Sequence, residues 1–131
     1  LQPGKPARSN AAPTLVFQNG KPLYSIGSTG SERMSSGVFQ VLVRLRAGQS
    51  PFQAVAAPRL HCNPEGQVFL EAERFDPAVL IALEKHGYET VPYDSPWSFS
   101  AGGLHLAGRR DGEFFGVADP RRDGAALGWM K

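Results

Sequence analysis

The chain is short of cysteine: Cys62 is its one thiol in 131 residues, so it has no internal disulfide and no cysteine-rich metal motif. Long apolar runs are missing as well. None approaches the ~18 residues of a membrane span, and residues 1–5 (LQPGK) lack the apolar core of a signal peptide. Nor does one sign of charge dominate. Fourteen basic against twelve acidic residues leave a net charge of +2, too balanced for the electrostatic footprint of a nucleic-acid-binding protein. What remains is 41% hydrophobic content over one domain's length. Residues 1–131 read as a single domain, able to bury roughly two-thirds of its unfolded surface.

Residues 1–13 begin LQPGKPARSNAA and are rich in Pro, Gly and polar side chains, which predicts an extended lead-in segment. A hairpin follows: β-type runs at 14–18 and 23–26 flank Asn19-Gly20, which supplies the positive φ angles of a tight turn. From Met34 the apolar residues Met34, Val38, Val41, Leu42 and Leu45 share one helical face, with a stop at Gly48. Thr29 and Glu32 have capping-box spacing, placing the helix start within the turn. Ser50, Pro51 and Gln53 open a second, short helix limited by Pro58. A strand is predicted over 67–73. Asp76-Pro77 begins a third helix that stops at His86-Gly87, and Thr90-Val91 can begin another strand. Residues 92–100 read as a Pro/Ser loop, and 104–107 pairs with 114–117 as a closing hairpin.

The order ββ-α-α-β-α-β-β implies an α+β, two-layer fold with a mixed or antiparallel sheet and helices on one face. Yet Leu15, Val16 and Phe17, and Val68, Phe69 and Leu70, put apolar residues on both sides of their strands. The other sheet face is therefore expected to be covered too. The chain reads as half of a larger sandwich, completed by a homodimer or by a segment outside this sequence.

Residues 25–37, SIGSTGSERMSSG, form the most suggestive stretch for chemistry. Its turn leads into a helix, where unpaired N–H groups bind anions. It has no Gly-Lys-Ser/Thr for a phosphate loop and no GxSxG elbow. Left standing are the amides of Gly30 and Ser31, which suit a carboxylate or an oxyanion, or which belong to a plain helix cap. His61 and Cys62 are adjacent, so in a strand they face opposite ways and make a poor thiol–imidazole pair. His86 reads as a charge on a helix end and His105 as one alternating strand position. Arg59, and Asp119 to Asp123, suit ion pairs or turn geometry better than catalysis. Nothing here calls for a metal or another cofactor.

Five stretches in order, at 5–14 (KPARSNAAPT), 27–33 (GSTGSER), 54–61 (AVAAPRLH), 75–87 (FDPAVLIALEKHG) and 117–128 (VADPRRDGAALG), carry a resemblance. The chain resembles the last two-thirds of the small subunit of gamma-glutamyltransferases, with the APRxH and DPRRDGAA stretches the most specific. The resemblance implies half of the αββα sandwich of an N-terminal-nucleophile hydrolase. In such enzymes a precursor cleaves itself, and the new N-terminal threonine attacks a γ-glutamyl amide such as glutathione. The acyl group then passes to water or to an amino acid.

Position 1 is Leu1, which offers no nucleophile, so the threonine is expected on an upstream or large-subunit segment of the same precursor and the chain alone is expected to be inactive. The resemblance places a substrate α-carboxylate pair at Ser9 and Asn10 and oxyanion amides at Gly30 and Ser31. Asn10 stands where the family has a second serine, and Ser31 where it has a second glycine. Glu32 adds a negative charge within a turn of the oxyanion. A periplasmic or extracellular location is implied by the resemblance alone. Two other readings stand beside the enzymatic one: a non-catalytic binding or assembly domain derived from the family, and an acylase for β-lactam side chains or poly-γ-glutamate.

Overall fold

The computed structural model describes residues 2–7 and 9–128. Its elements are β1 (Thr14–Gln18), β2 (Lys21–Thr29), α1 (Arg33–Arg46), α2 (Pro51–Ala56), β3 (Leu60–Cys62), β4 (Gln67–Leu70), α3 (Pro77–Lys85), β5 (Glu89–Pro92), β6 (Gly103–Arg110) and β7 (Glu113–Val117). Single 3-10 turns at Ala72–Arg74 and Phe99–Ala101 lie between them. Among the described residues no helix is long and apolar enough to cross a membrane.

The strands form two sheets rather than one. The larger has the order β1-β2-β6-β7 and is antiparallel throughout; the smaller, β3-β4-β5, has one antiparallel and one parallel pair. Both hairpins of the larger sheet turn through left-handed pairs, Asn19-Gly20 at φ 51° and 75° and Asp111-Gly112 at 51° and 89°. These angles match the twist of the strands they join.

Helices α1 and α2 cover one face of the larger sheet. Val38, Val41, Ala54 and Val55 meet Ile26, Leu104 and Leu106 in one apolar cluster. The opposite face carries Ser25, Gly27, His105 and Ala107, all exposed. Leu15, opposite Ser25, and Phe114, opposite Arg109, flank it at 63% and 83% exposure. The chain's own C-terminal segment lies against part of this face, Gly124 next to His105 and Ala126 next to Gly116, and Leu15 and Phe114 leave exposed apolar surface at its borders.

Three local expectations change. The strand predicted over 67–73 ends at Leu70, because Glu71 turns inward and is only 1% exposed. Leu60–Cys62, too short to show a period, adds a strand beside it. The Thr29–Glu32 capping box does not form: Thr29 is the last residue of β2, paired with Gly103, and Glu32 occupies the cap position without a side-chain hydrogen bond. Ser50 and Gln53 do make their reciprocal box, and the Asp76 carboxylate accepts from the Ala78 N–H.

Candidate functional site

After Thr29 the chain leaves β2 through Gly30 at φ 124° and Ser31 at φ 53°, then enters α1. The carbonyls of Gly30 and Ser31 accept from the N–H groups of Arg33 and Met34, at 3.0 and 3.3 Å. Their own N–H groups donate to no other described residue. Two consecutive unpaired amides at the positive end of a fourteen-residue helix form an anion-binding surface. Ser31 keeps the left-handed backbone that the turn needs; the region is accessible to serine at some cost, not barred to it.

The turn is backed by a second glycine. A Cβ on Gly30 would lie 2.8 Å from the Gly102 Cα, and one on Gly102 would lie 2.7 Å from the Thr29 carbonyl oxygen. Only two glycines let these backbones cross so closely. Gly102 is itself held, because Arg59 Nη1 donates to its carbonyl at 3.0 Å.

Arg59 belongs to a buried charge cluster. Its guanidinium pairs with Asp119, and its backbone N–H donates to Glu71 Oε2 at 2.9 Å. Asp119 also accepts from the backbone N–H groups of Leu104 at 2.7 Å and Arg121 at 3.0 Å. Arg121 bridges the two acids, with Nε 2.7 Å from Glu71 Oε1 and Nη1 3.1 Å from Asp119 Oδ1. Arg74 reaches Glu71 at 3.2 Å from the edge and stacks on Trp97.

Burial, reinforced by the charge of Arg121, pulls Arg59 down to about 10 against the opposing pull of Asp119, so it stays cationic at neutral pH. For Arg121 burial also acts downward, but the hydrogen bonds and charge of Glu71, with Asp119, more than offset it and its pKa rises. The difference follows from geometry: Arg121 has two carboxylates and Arg59 one. Burial pushes Asp119 up, yet Arg59 and the two backbone donors win and leave it below its ordinary value. Of the ion pairs expected of Arg59 and the Asp119–Asp123 run, those of Arg59, Asp119 and Arg121 are present, whereas Arg122 and Asp123 form none among the described residues. Glu71, which accepts from the Arg121 guanidinium and the Arg59 N–H, lies within the strand expected over 67–73; its one visible signal is an acid closing the apolar run VFL.

Ser9 and Asn10 lie on the lead-in to β1. Because β1 and β2 are antiparallel, with Thr14 opposite Ile26, the start of β1 and the end of β2 lie at the same end of the sheet. The two pairs expected from the resemblance therefore lie toward the same end of the sheet, and no hydrogen bond joins them among the described residues. Ser9 Oγ accepts from the Ala11 N–H at 3.2 Å, Ser9 is exposed and Asn10 half-buried.

The histidines do not gather. His61 Nδ1 lies 3.1 Å from Ser36 Oγ, whereas Cys62 is exposed and bonds only weakly to the Asn63 carbonyl. His86 is the C-cap of α3, and His105 lies on the open sheet face.

The sequence matches the family described as Gamma-glutamyltranspeptidase over residues 1–129. It is 33% identical over 131 residues to the glutathione hydrolase proenzyme of Bacillus subtilis, covering 98% of this chain and 22% of that one. It is 32% identical over 129 residues to the Acylase ACY 1 proenzyme of a Pseudomonas species, covering 97% of this chain and 22% of that protein. A highly active mutant of the gamma-glutamyltranspeptidase from Pseudomonas nitroreducens has the same fold, with a TM-score of 0.86 at 24% identity over 100% of this chain and 68% of that one. The chain spans about a fifth of the length of the curated relatives it matches. With that family match running nearly end to end, over the turn, the buried cluster and the lead-in alike, the chain belongs to the gamma-glutamyltranspeptidase family.

Proposed function

We propose that the chain is the C-terminal portion of a gamma-glutamyltransferase-like N-terminal-nucleophile hydrolase that cleaves or transfers γ-glutamyl groups of glutathione-like amides. The observation that carries this is the pair of unpaired amides at Gly30 and Ser31, set at positive φ and braced from behind. The nucleophilic threonine belongs to a preceding segment, which also covers the open face of the larger sheet. Its hydroxyl oxygen attacks the γ-carbonyl carbon while its proton passes to the free α-amine. The carbonyl π electrons move onto oxygen, and the two amides hold the resulting anion. As the anion collapses, the C–N bond breaks and the α-ammonium returns its proton to the departing substrate amine. Water or an amino acid, deprotonated by the same α-amine, then takes the acyl group from the ester, and the threonine oxygen regains its proton.

In this reading Ser9 and Asn10 hold the substrate α-carboxylate. Asn10 donates through its amide nitrogen, from further out than a serine would. Glu32, exposed at the cap of α1, places a negative charge beside the developing oxyanion and opposes it. That carboxylate favours the second reading, a non-catalytic binding domain, and the acylase reading differs only in the acyl group.

Kinetics of the full-length protein with a γ-glutamyl anilide separate these. Ser9→Ala is expected to raise KM with little change in kcat, a loss of about 1–2 kcal/mol for a bond to a charged group. Glu32→Ser is expected to raise kcat with little change in KM, since the anion exists only in the transition state. Negligible effects of both substitutions would leave the turn as a helix cap and put the binding domain first. Turnover of a β-lactam side-chain amide in place of the anilide would select the acylase.

A further inference from the structure

The smaller sheet grips α1 along a polar stripe. Arg33, Ser36, Gln40 and Arg44 are spaced by three, four and four residues, so they line one side of the helix, while Val38 and Val41 are buried in the apolar cluster shared with the larger sheet. Each of the four reaches a residue of the smaller sheet or of its approaches. Arg33 Nε donates to Tyr93 Oη at 3.0 Å. Ser36 Oγ lies 3.1 Å from His61 Nδ1. Gln40 meets Leu60 with both ends of its amide, donating to the carbonyl at 2.8 Å and accepting from the N–H at 3.2 Å. Arg44 Nη2 donates to the Pro58 carbonyl.

The two contacts nearest the turn act on its own hydrogen bonds. Arg33 closes the turn by donating its backbone N–H to the Gly30 carbonyl, and its side chain is fixed by Tyr93. Its guanidinium also lies 5.8 and 5.9 Å from the ring centres of Phe69 and Tyr93, which stack on each other at 6.3 Å. Ser36 Oγ donates to the Arg33 carbonyl at 3.1 Å. A hydroxyl has one proton, so its bond with His61 requires the imidazole to donate from Nδ1. Burial and the charge of Arg33 lower the His61 pKa, with Glu32 opposing, which favours the neutral ring; the Ser36 hydroxyl, already donating to Arg33, puts its proton on Nδ1.

We infer that Tyr93 and His61 are positioning residues for the Gly30–Ser31 turn: from the smaller sheet they hold Arg33 and Ser36 on the first turn of α1 and so set the aim of the two amides. The inference rests on the oxyanion reading above. It assigns the smaller sheet a role in the reaction, although it contributes none of the four proposed site residues. Donors to an oxyanion must sit about 2.7–3.1 Å from where it forms, held to within about 0.5 Å. A first helical turn left to fray loses that aim before it loses its fold.

The test uses the full-length protein and three variants, with γ-glutamyl anilide kinetics and amide hydrogen exchange over residues 30–37. Tyr93→Phe keeps the ring against Phe69 and removes only the hydroxyl; it is expected to lower kcat about five- to tenfold with KM within twofold. His61→Leu should do the same, and His61→Asn, whose side-chain N–H can replace Nδ1–H, should restore most of the loss. Faster exchange over 30–37 should accompany each loss. Unchanged kcat in Tyr93→Phe and His61→Leu overturns the inference, provided that Ser9→Ala still raises KM. Equal loss in His61→Leu and His61→Asn overturns the role of the Nδ1 donor. If the parent protein turns over no γ-glutamyl amide, the oxyanion reading fails and the positioning role falls with it.

Discussion

The two sides of α1 are held by different physics. Toward the larger sheet it buries Val38 and Val41 in an apolar cluster; toward the smaller sheet it presents Arg33, Ser36, Gln40 and Arg44 to oriented hydrogen bonds. The same division recurs behind the turn, where Arg59, Glu71, Asp119 and Arg121 are buried together. Apolar burial is non-directional and forgives a small shift. Hydrogen-bonded and ionic contacts do not, because a half-satisfied buried charge costs more than an apolar replacement. The apolar side gives α1 its stability, and the polar side gives it its position.

The sharpest way to break this comparison is to unpair the cluster. Asp119→Ala would leave Arg59 buried without its partner and the Leu104 N–H without its acceptor, an expected loss of about 3–5 kcal/mol. Val55→Ala, at a fully buried site of the apolar cluster, removes two methyl groups. At about 0.8 kcal/mol each plus a small cavity, its cost is about 2 kcal/mol. Urea denaturation of both variants decides. A larger loss for Val55→Ala would mean that the charges are incidental to the fold.

Next in size is Gly30→Ala. Its Cβ would stand 2.8 Å from the Gly102 Cα, backbone that is tied to Arg59 and cannot move aside cheaply. Overpacking of this kind costs about 1–3 kcal/mol, and the displaced turn should lose kcat in the full-length protein. Wild-type stability and kcat together would show that the glycine crossing is looser than it looks.

Acid sharpens the comparison without a mutation. The folded pKa of Asp119 is depressed, so its contribution is complete above the unfolded value of about 4 and is lost as pH falls through the lower folded value. Stability should be flat in this group from pH 5 to 8 and decline below about pH 4, by at most about 1.4 kcal/mol per pH unit. Denaturation at stepped pH should show that decline reduced in Asp119→Asn. An identical acid limb in the variant would assign the sensitivity to other carboxylates.

The apolar side of this division was legible in the sequence, whereas the polar side was legible only as residues suited to ion pairs and not as partners. The helical face of Met34 to Leu45, the Asn19-Gly20 hairpin, the Ser50 box and the Asp76-Pro77 start all depend on residues within a turn of one another. By contrast Arg59 and Asp119 are 60 residues apart, Arg121 and Glu71 are 50 apart, and Arg33 and Tyr93 are 60 apart. No local period announces such pairs. The division into two sheets is hidden for the same reason, since β3 has three residues and the pattern of its partner continues past Leu70 to Glu73. The roles proposed for Ser9, Asn10, Gly30 and Ser31 came from resemblance; the residues alone left the turn as a cap or an anion site.

The smallest expected effect is also the most discriminating, because it sets two neighbours in one turn against each other. Gly30 and Ser31 both have positive φ, yet Gly30 is pressed against another backbone whereas Ser31 is exposed. At Ser31 the cost of a side chain is the left-handed conformation alone, about 1 kcal/mol per residue. Ser31→Gly removes that strain but gives the unfolded chain more freedom to lose, about 0.5–1 kcal/mol in the other direction. The two nearly cancel, so stability should change by less than about 1 kcal/mol and kcat by less than about threefold. Ser31→Ala, which retains the Cβ, should match the parent protein even more closely. If either variant instead lost activity as Gly30→Ala is expected to, the Ser31 hydroxyl itself would be making a contact with substrate, and the site would need a donor beyond its two backbone amides.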